Sequence, residues 1–171
     1  MLEMIDDWNK ELEKLRNKPI GILEVDSKRL KAELQPIREA RMQEIKDYVK
    51  DLARDRTTQL LEHYRTCVAK ISNKPSQLKD YAAFVSMYQG MRDEEKTLFK
   101  TVSTIDQMYN LLVQYEVVVP SEDIVRHEDL HEREVEYRKE IESASQFREN
   151  KETEMISLCE VNMTKLSDQI V

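Results

Sequence analysis

The sequence predicts an all-α fold, an elongated antiparallel three-helix bundle preceded by a short N-terminal helix and an extended segment around residues 19–26. Three observations predict it. The 171 residues hold only two glycines, Gly21 and Gly90, and four prolines, and a fold with many tight turns would need more of the residue that tolerates positive φ. Charged residues make up 36% of the chain, and the abundance of Glu, Lys, Arg, Gln, Leu and Met favours helix. The hydrophobic share, 40%, falls in stripes at helical spacing, which suits a narrow apolar seam and argues against disorder.

The first helix is expected at about 2–16. Leu2, Ile5, Leu12 and Leu15 share one stripe with Trp8 beside them, and Trp8 is expected to pack on this bundle or on a continuation of it. Pro19 restricts Lys18 to an extended conformation and ends the helix. The apolar run Ile20-Gly21-Ile22-Leu23-Glu24-Val25 reads as an extended segment against the helices rather than part of a sheet, because no second strand is evident. Asp26 or Ser27 can cap the next helix.

The second helix is expected at 27–72, kinked or broken near Pro36. Its seam reads Ile37, Ile45, Val49, Leu52, Leu60, Tyr64, Cys67 and Ile71, with Arg41 and Arg56 laying aliphatic stems in two slots. Asn73-Lys74-Pro75-Ser76 is a turn, and Ser76 caps a third helix at 76–116. There Leu98, Val102, Ile105, Tyr109 and Leu112 alternate steps of four and three, a heptad rhythm. Tyr81, Tyr88, Tyr109 and Tyr115 follow that seam, rings packed and hydroxyls at its edge. Gly90 inside this helix marks a close helix contact or a weak point.

Val117-Val118-Val119-Pro120 breaks the pattern, and Ser121-Glu122-Asp123-Ile124 opens a fourth helix at 121–170, its acids at the positive end of the dipole. The seam reads Ile124, Leu130, Val135, Ile141, Ala144, Met155, Leu158 and Ile170, with Val161 and Leu166 near it. Residues 148–154 carry almost no apolar side chain, so the helix is expected to run exposed there or to meet something outside the chain. Short connections make neighbouring helices antiparallel, and lengths of about 35–50 residues at ~1.5 Å each imply a rod of roughly 50–70 Å.

Composition excludes several functions. A net charge of −7 with interspersed signs disfavours nucleic-acid binding. No run approaches the roughly 18 apolar residues of a membrane span, and no stretch joins a basic face to a bulky apolar one. No signal peptide is expected, since Glu3, Asp6, Asp7 and Glu11 follow Met1, and the sequon Asn162-Met163-Thr164 carries little weight. Cys67 and Cys159 have no metal-ligand spacing and read as buried or half-buried thiols in a reducing, cytosolic compartment.

One motif suggests chemistry. His127-Glu128-Asp129-Leu130-His131 matches H-E-x-x-H, which on a helix can bind zinc with Glu128 as general base. Arg126, Glu132, Arg133 and Glu134 mark a solvated face, no third ligand stands out, and long helices offer no cleft wall, so a zinc-dependent peptidase is only a remote alternative. Two isolated glycines cannot cradle a nucleotide's phosphates, and the dispersed carboxylates read as helix surface. The chain is therefore expected to have no catalytic residue, no cofactor-binding residue, no metal ligand and no cofactor.

Several stretches together resemble the stem of axonemal dynein heavy chains. They are Pro19 to Ser27 with Leu30-Lys31 and Leu34-Gln35-Pro36; Leu52-Ala53-Arg54-Asp55-Arg56; Lys74-Pro75-Ser76-Gln77-Leu78-Lys79-Asp80-Tyr81; and Met108-Tyr109-Asn110-Leu111-Leu112-Val113-Gln114-Tyr115 followed by Val117 to Val119 and Glu122-Asp123. The similarity spans about Ile20 to Glu149. It implies one helical segment, residues 1–171, of a much larger chain: a minus-end-directed microtubule motor of cilia and flagella whose ATP and microtubule sites lie elsewhere. Residues 1–18 precede the similarity. The implied role is that of a non-catalytic lever and scaffold. The implied partners are other heavy-chain stems, intermediate and light chains and the rest of the same heavy chain, in the cytoplasm and cytoskeleton of the axoneme. A spectrin-like coiled-coil adaptor unrelated to a motor predicts the same fold and is the alternative.

Overall fold

A computed structural model describes the backbone of residues 2–14, 18–20 and 23–170, and the side chains of 4, 6–8, 10, 11, 14 and 26–165. Four helices dominate: α1 (Leu2–Lys14), α2 (Ser27–Ile71), α3 (Leu78–Gln114) and α4 (Ser121–Ile170). Between α1 and α2 lie two short strands, β1 (Lys18–Ile20) and β2 (Leu23–Val25). They pair antiparallel, Lys18 opposite Val25 and Ile20 opposite Leu23. The extended conformation was legible in the β-branched run, but the partner strand was missed because the segment folds back on itself.

By its contacts the chain divides into two compact units, one of residues 1–53 with 108–118 and the other of residues 54–107 with 119–171. In the first unit, Lys46 Nζ donates to the Tyr115 carbonyl at 2.9 Å and stands 5.8 Å from the centre of the Tyr115 ring. The Tyr115 hydroxyl donates to Asp6 Oδ2 at 2.9 Å, so α1, α2 and the end of α3 meet around one tyrosine. That end of α3 is closed by backbone geometry. Glu116 takes a left-handed φ of 53°, its N–H bonds the Val113 carbonyl, and the Val117 N–H reaches back to Leu112. This pair of bonds satisfies carbonyls the helix leaves open.

The second unit is a three-helix bundle. Tyr64 of α2 packs on Tyr137 of α4 with ring centres 5.0 Å apart, and Ser72 reaches Glu140 at 3.3 Å, so these two helices run in the same direction. Between α3 and α4 the order reverses. Phe84 meets Phe147 edge-on at 5.5 Å, the Tyr137 hydroxyl donates to the Met91 carbonyl, and Asp106 meets His127. The up-down-up arrangement follows from the short connections, residues 72–77 and 115–120.

The seams obey a stricter rule than the apolar residues alone suggest. The buried row of α3 is Tyr81, Phe84, Tyr88, Met91, then Val102, Ile105, Tyr109 and Leu112, with half-buried Glu95 and Leu98 completing an unbroken three-four alternation. In α4 the alternation runs Asp123, His127, Leu130, Glu134, Tyr137, Ile141, Ala144, Arg148, Lys151 and Met155, all buried or half-buried. Three of the residues assigned to the seam of this helix, Ile124, Val135 and Leu158, are exposed, as is Val161 near them. Asp123 and Tyr137 hold inward slots instead. Leu166 and Ile170 have side chains outside those described.

In α2 the buried row is Ala53, Thr57, Leu60, Tyr64, Cys67 and Ile71, again in fours and threes. Arg41 and Arg56, expected in the seam, are exposed, as is Ile37. Small residues, Ala53 and Thr57, hold the inward positions on either side of Arg56 instead. The break expected at Pro36 does not occur, for α2 is helical through it. The proline leaves the Ala32 carbonyl without its N–H partner, but Ala32 and its neighbours to Ile37 are exposed, so water can take that bond. Asp26 caps α2 as expected, its Oδ1 accepting from the Lys28 N–H at 2.9 Å.

Candidate functional site

Cys67 is buried and Sγ lies 3.5 Å from His63 Nε2. Burial, and then the Glu94 carboxylate, raise the thiol's pKa, so it is a packed thiol and a poor nucleophile. Cys159, expected to be at least half-buried, is exposed, because every residue from 156 to 165 is exposed. Most of 148–154 is exposed as expected, but Arg148 and Lys151 are half-buried and hold the helix to the bundle: the Arg148 guanidinium stands 5.3 Å from the Tyr88 ring centre, its carbonyl accepts from the Tyr81 hydroxyl, and Met155 beyond them is buried. A guanidinium over an aromatic face does here what an apolar side chain does elsewhere.

The tyrosines behave as structural groups. Burial pushes the Tyr64 and Tyr137 phenols well above their usual range, and Tyr81 upward too. Tyr115 is half-buried in the first unit. Trp8 is 64% exposed. Gly90 has open space where a Cβ would stand, so it is a weak point of α3 and no close contact requires it.

The H-E-x-x-H pair is where the structure adds most. His127 and His131 lie one turn apart on α4, ring centres 5.1 Å apart and tilted by 67°. Both Nε2 atoms point at one oxygen, Asp106 Oδ1 on α3, at 2.7 Å from His127 and 3.2 Å from His131. The side chains are 22%, 47% and 35% exposed in the order His127, His131, Asp106. Sequence reasoning found the two histidines and missed the aspartate, because Asp106 lies on another helix and nothing local marks it. Glu128 is exposed. The broad grooves lie elsewhere: one of about 780 Å³ is bounded by Arg54, Gln59, His63 and Arg126, and one of about 410 Å³ by Tyr81, Arg148 and Met155.

Among the described residues no helix is long and apolar enough to cross a membrane. The family model for the dynein axonemal heavy chain 2/5/8 coiled-coil matches residues 43–161. The chain belongs to that family. Its matched span takes in most of α2, all of α3 and α4 as far as Val161, into the exposed run. The dynein match removes an adaptor unrelated to a motor, and the unbroken three-four seams are the structural counterpart of a coiled-coil family. No curated protein and no solved structure matches the chain.

Proposed function

We propose that this segment of an axonemal dynein heavy chain is a non-catalytic part of the stem, acting as a lever and as a scaffold for heavy-, intermediate- and light-chain assembly. Residues 1–171 form one segment of the longer heavy chain, placed in the axoneme of a cilium or flagellum, and the ATP sites that drive microtubule movement lie in other parts of the parent. The observation that carries the reading is the pairing of the family match with seams that run in heptads along three helices. Helices packed along their length resist bending because each seam residue is locked by its neighbours, and their outer faces remain available to partners. The exposed apolar side chains Ile156, Leu158, Val161 and Met163 on α4 support a surface that the continuing heavy chain or a neighbouring subunit covers.

The chemistry-bearing residues fit a mechanical role. The tyrosine phenols are held neutral by burial, the Cys67 thiol is raised in pKa, and Glu128 faces solvent. The test is capture from ciliary extract with the chain as bait. Dynein heavy, intermediate or light chains in the bound fraction are the expected result. Recovery of actin or adhesion proteins with no dynein chain would overturn the stem assignment.

A further inference from the structure

We infer that His127, His131 and Asp106 form a binding site for a divalent transition-metal cation of the zinc class, clipping α4 to α3. The site stands whether or not the segment serves as a stem. Two histidines four residues apart share a helix face, and here both rings converge on a carboxylate from the antiparallel neighbour. The candidate donor atoms all lie within 4.8 Å of one another. A tetrahedral cation with bonds of about 2.0–2.2 Å holds its donors roughly 3.3–3.6 Å apart. The observed 2.7 and 3.2 Å need to open by up to about 1 Å, and the two imidazole nitrogens, within 4.8 Å of each other, must come to the same spacing.

The donor set decides the class of ion. Imidazole nitrogens suit Zn²⁺, Ni²⁺, Cu²⁺ and Co²⁺, whereas Mg²⁺ and Ca²⁺ prefer all-oxygen cages. Without a cation, His127 Nε2 donates to Asp106 Oδ1 and His131 Nε2 stands 3.2 Å from the same oxygen. A bound cation would take the place of the His127 hydrogen bond and be held by all three groups. The half-exposed His131 leaves a side open for water as a fourth ligand. The ion joins two helices otherwise held by packing and by the Tyr137–Met91 and Tyr81–Arg148 hydrogen bonds, so binding stabilises the folded bundle by mass action.

The test is calorimetric titration of the chelator-stripped chain with Zn²⁺ alone, beside thermal melts with and without the ion. One saturable equivalent per chain and a higher melting temperature are expected, with no response to Mg²⁺. Asp106→Asn and His131→Gln should each weaken Zn²⁺ binding at least about tenfold. Cys67→Ala should leave it unchanged, separating this site from the His63–Cys67–Glu94 neighbourhood. Circular dichroism checks that each variant is folded; His131 is exposed enough that His131→Gln reads the site even where Asp106→Asn fails to fold. Absence of saturable uptake, or uptake at unchanged affinity in folded His131→Gln, would overturn the inference and leave a hydrogen-bonded cluster.

Discussion

One helix passes through two environments. From Asp123 to Met155, α4 presents a buried or half-buried residue at every three-four step; from 156 to 165 every residue is exposed. The exposed stretch is not the less apolar of the two, for it carries Ile156, Leu158, Cys159, Val161 and Met163 among its ten residues, yet Ile141 is 2% exposed and Ile156 54%. They differ in what lies opposite. The turn that joins α2 to α3 stands beside Glu140 and Ser143, Ser72 bonding the first and Lys74 the second. Helix α3 starts near Arg148 and Met155, and beyond Met155 its first turn shares only an open groove with Ile156 and Cys159, which leaves both exposed. An apolar side chain contributes only where a neighbouring helix removes it from water, so stability along α4 follows its partners and not its own sequence.

The largest effects should therefore fall in the first stretch. Leu130→Ala empties a fully buried site and is expected to cost about 2–5 kcal/mol of stability, read by urea unfolding. A loss below about 1 kcal/mol would break the comparison, since it would mean that this seam position is not packed.

Alkaline pH sharpens the same contrast. Burial raises the folded-state pKa of Tyr64 and Tyr137, so the folded chain holds those protons when the unfolded chain has lost them. Their contribution is intact below the free phenol's value of about 10 and is lost as pH rises beyond it. Unfolding midpoints measured from pH 8 upward should fall past that value. Tyr137→Phe should flatten the fall, and a flat profile in the parent chain would contradict the burial of this pair.

Propensity gives a smaller effect. Gly90 is exposed within α3 and a methyl group there meets nothing, so Gly90→Ala should raise stability by about 0.4–1 kcal/mol. A loss would reveal a hidden close contact. The smallest effect belongs to the exposed stretch: Ile156→Ala should change stability by no more than about 0.5 kcal/mol. A larger loss would show that this part of α4 is packed within the chain.

Much of this arrangement was legible in the residues. The four helices, the turns at Pro75 and Pro120 and the seam of α3 from Leu98 to Leu112 all follow from periodicity and breakers. The seam of α4 was read less well, because five of its slots hold Asp123, His127, Glu134, Arg148 and Lys151. A polar residue at a seam position looks like surface until its setting is known: Asp123 and Glu134 pair with Arg126 and Arg138 on the same helix, whereas His127 meets Asp106 and Arg148 the Tyr88 ring on another. Apolar neighbours such as Ile124 and Val135 then drew the stripe one or two residues off. The same limit hid Asp106 as a companion of the histidine pair. Contacts between helices are long-range facts, and local pattern carries them only when both sides are apolar. Pro36 misled for a different reason: a proline costs a helix one hydrogen bond and a ring clash with the carbonyl four residues back, and where that carbonyl is exposed, as at Ala32, water can take the freed bond while α2 continues.

Amide hydrogen exchange along α4 in the intact chain tests most directly whether packing against α2 and α3 ends at Met155. Slow exchange through Leu130 to Ala144 is expected, with a steep loss of protection beyond Met155, although the helix itself continues to Ile170. Uniform protection to residue 165, or fast exchange throughout α4, would contradict it.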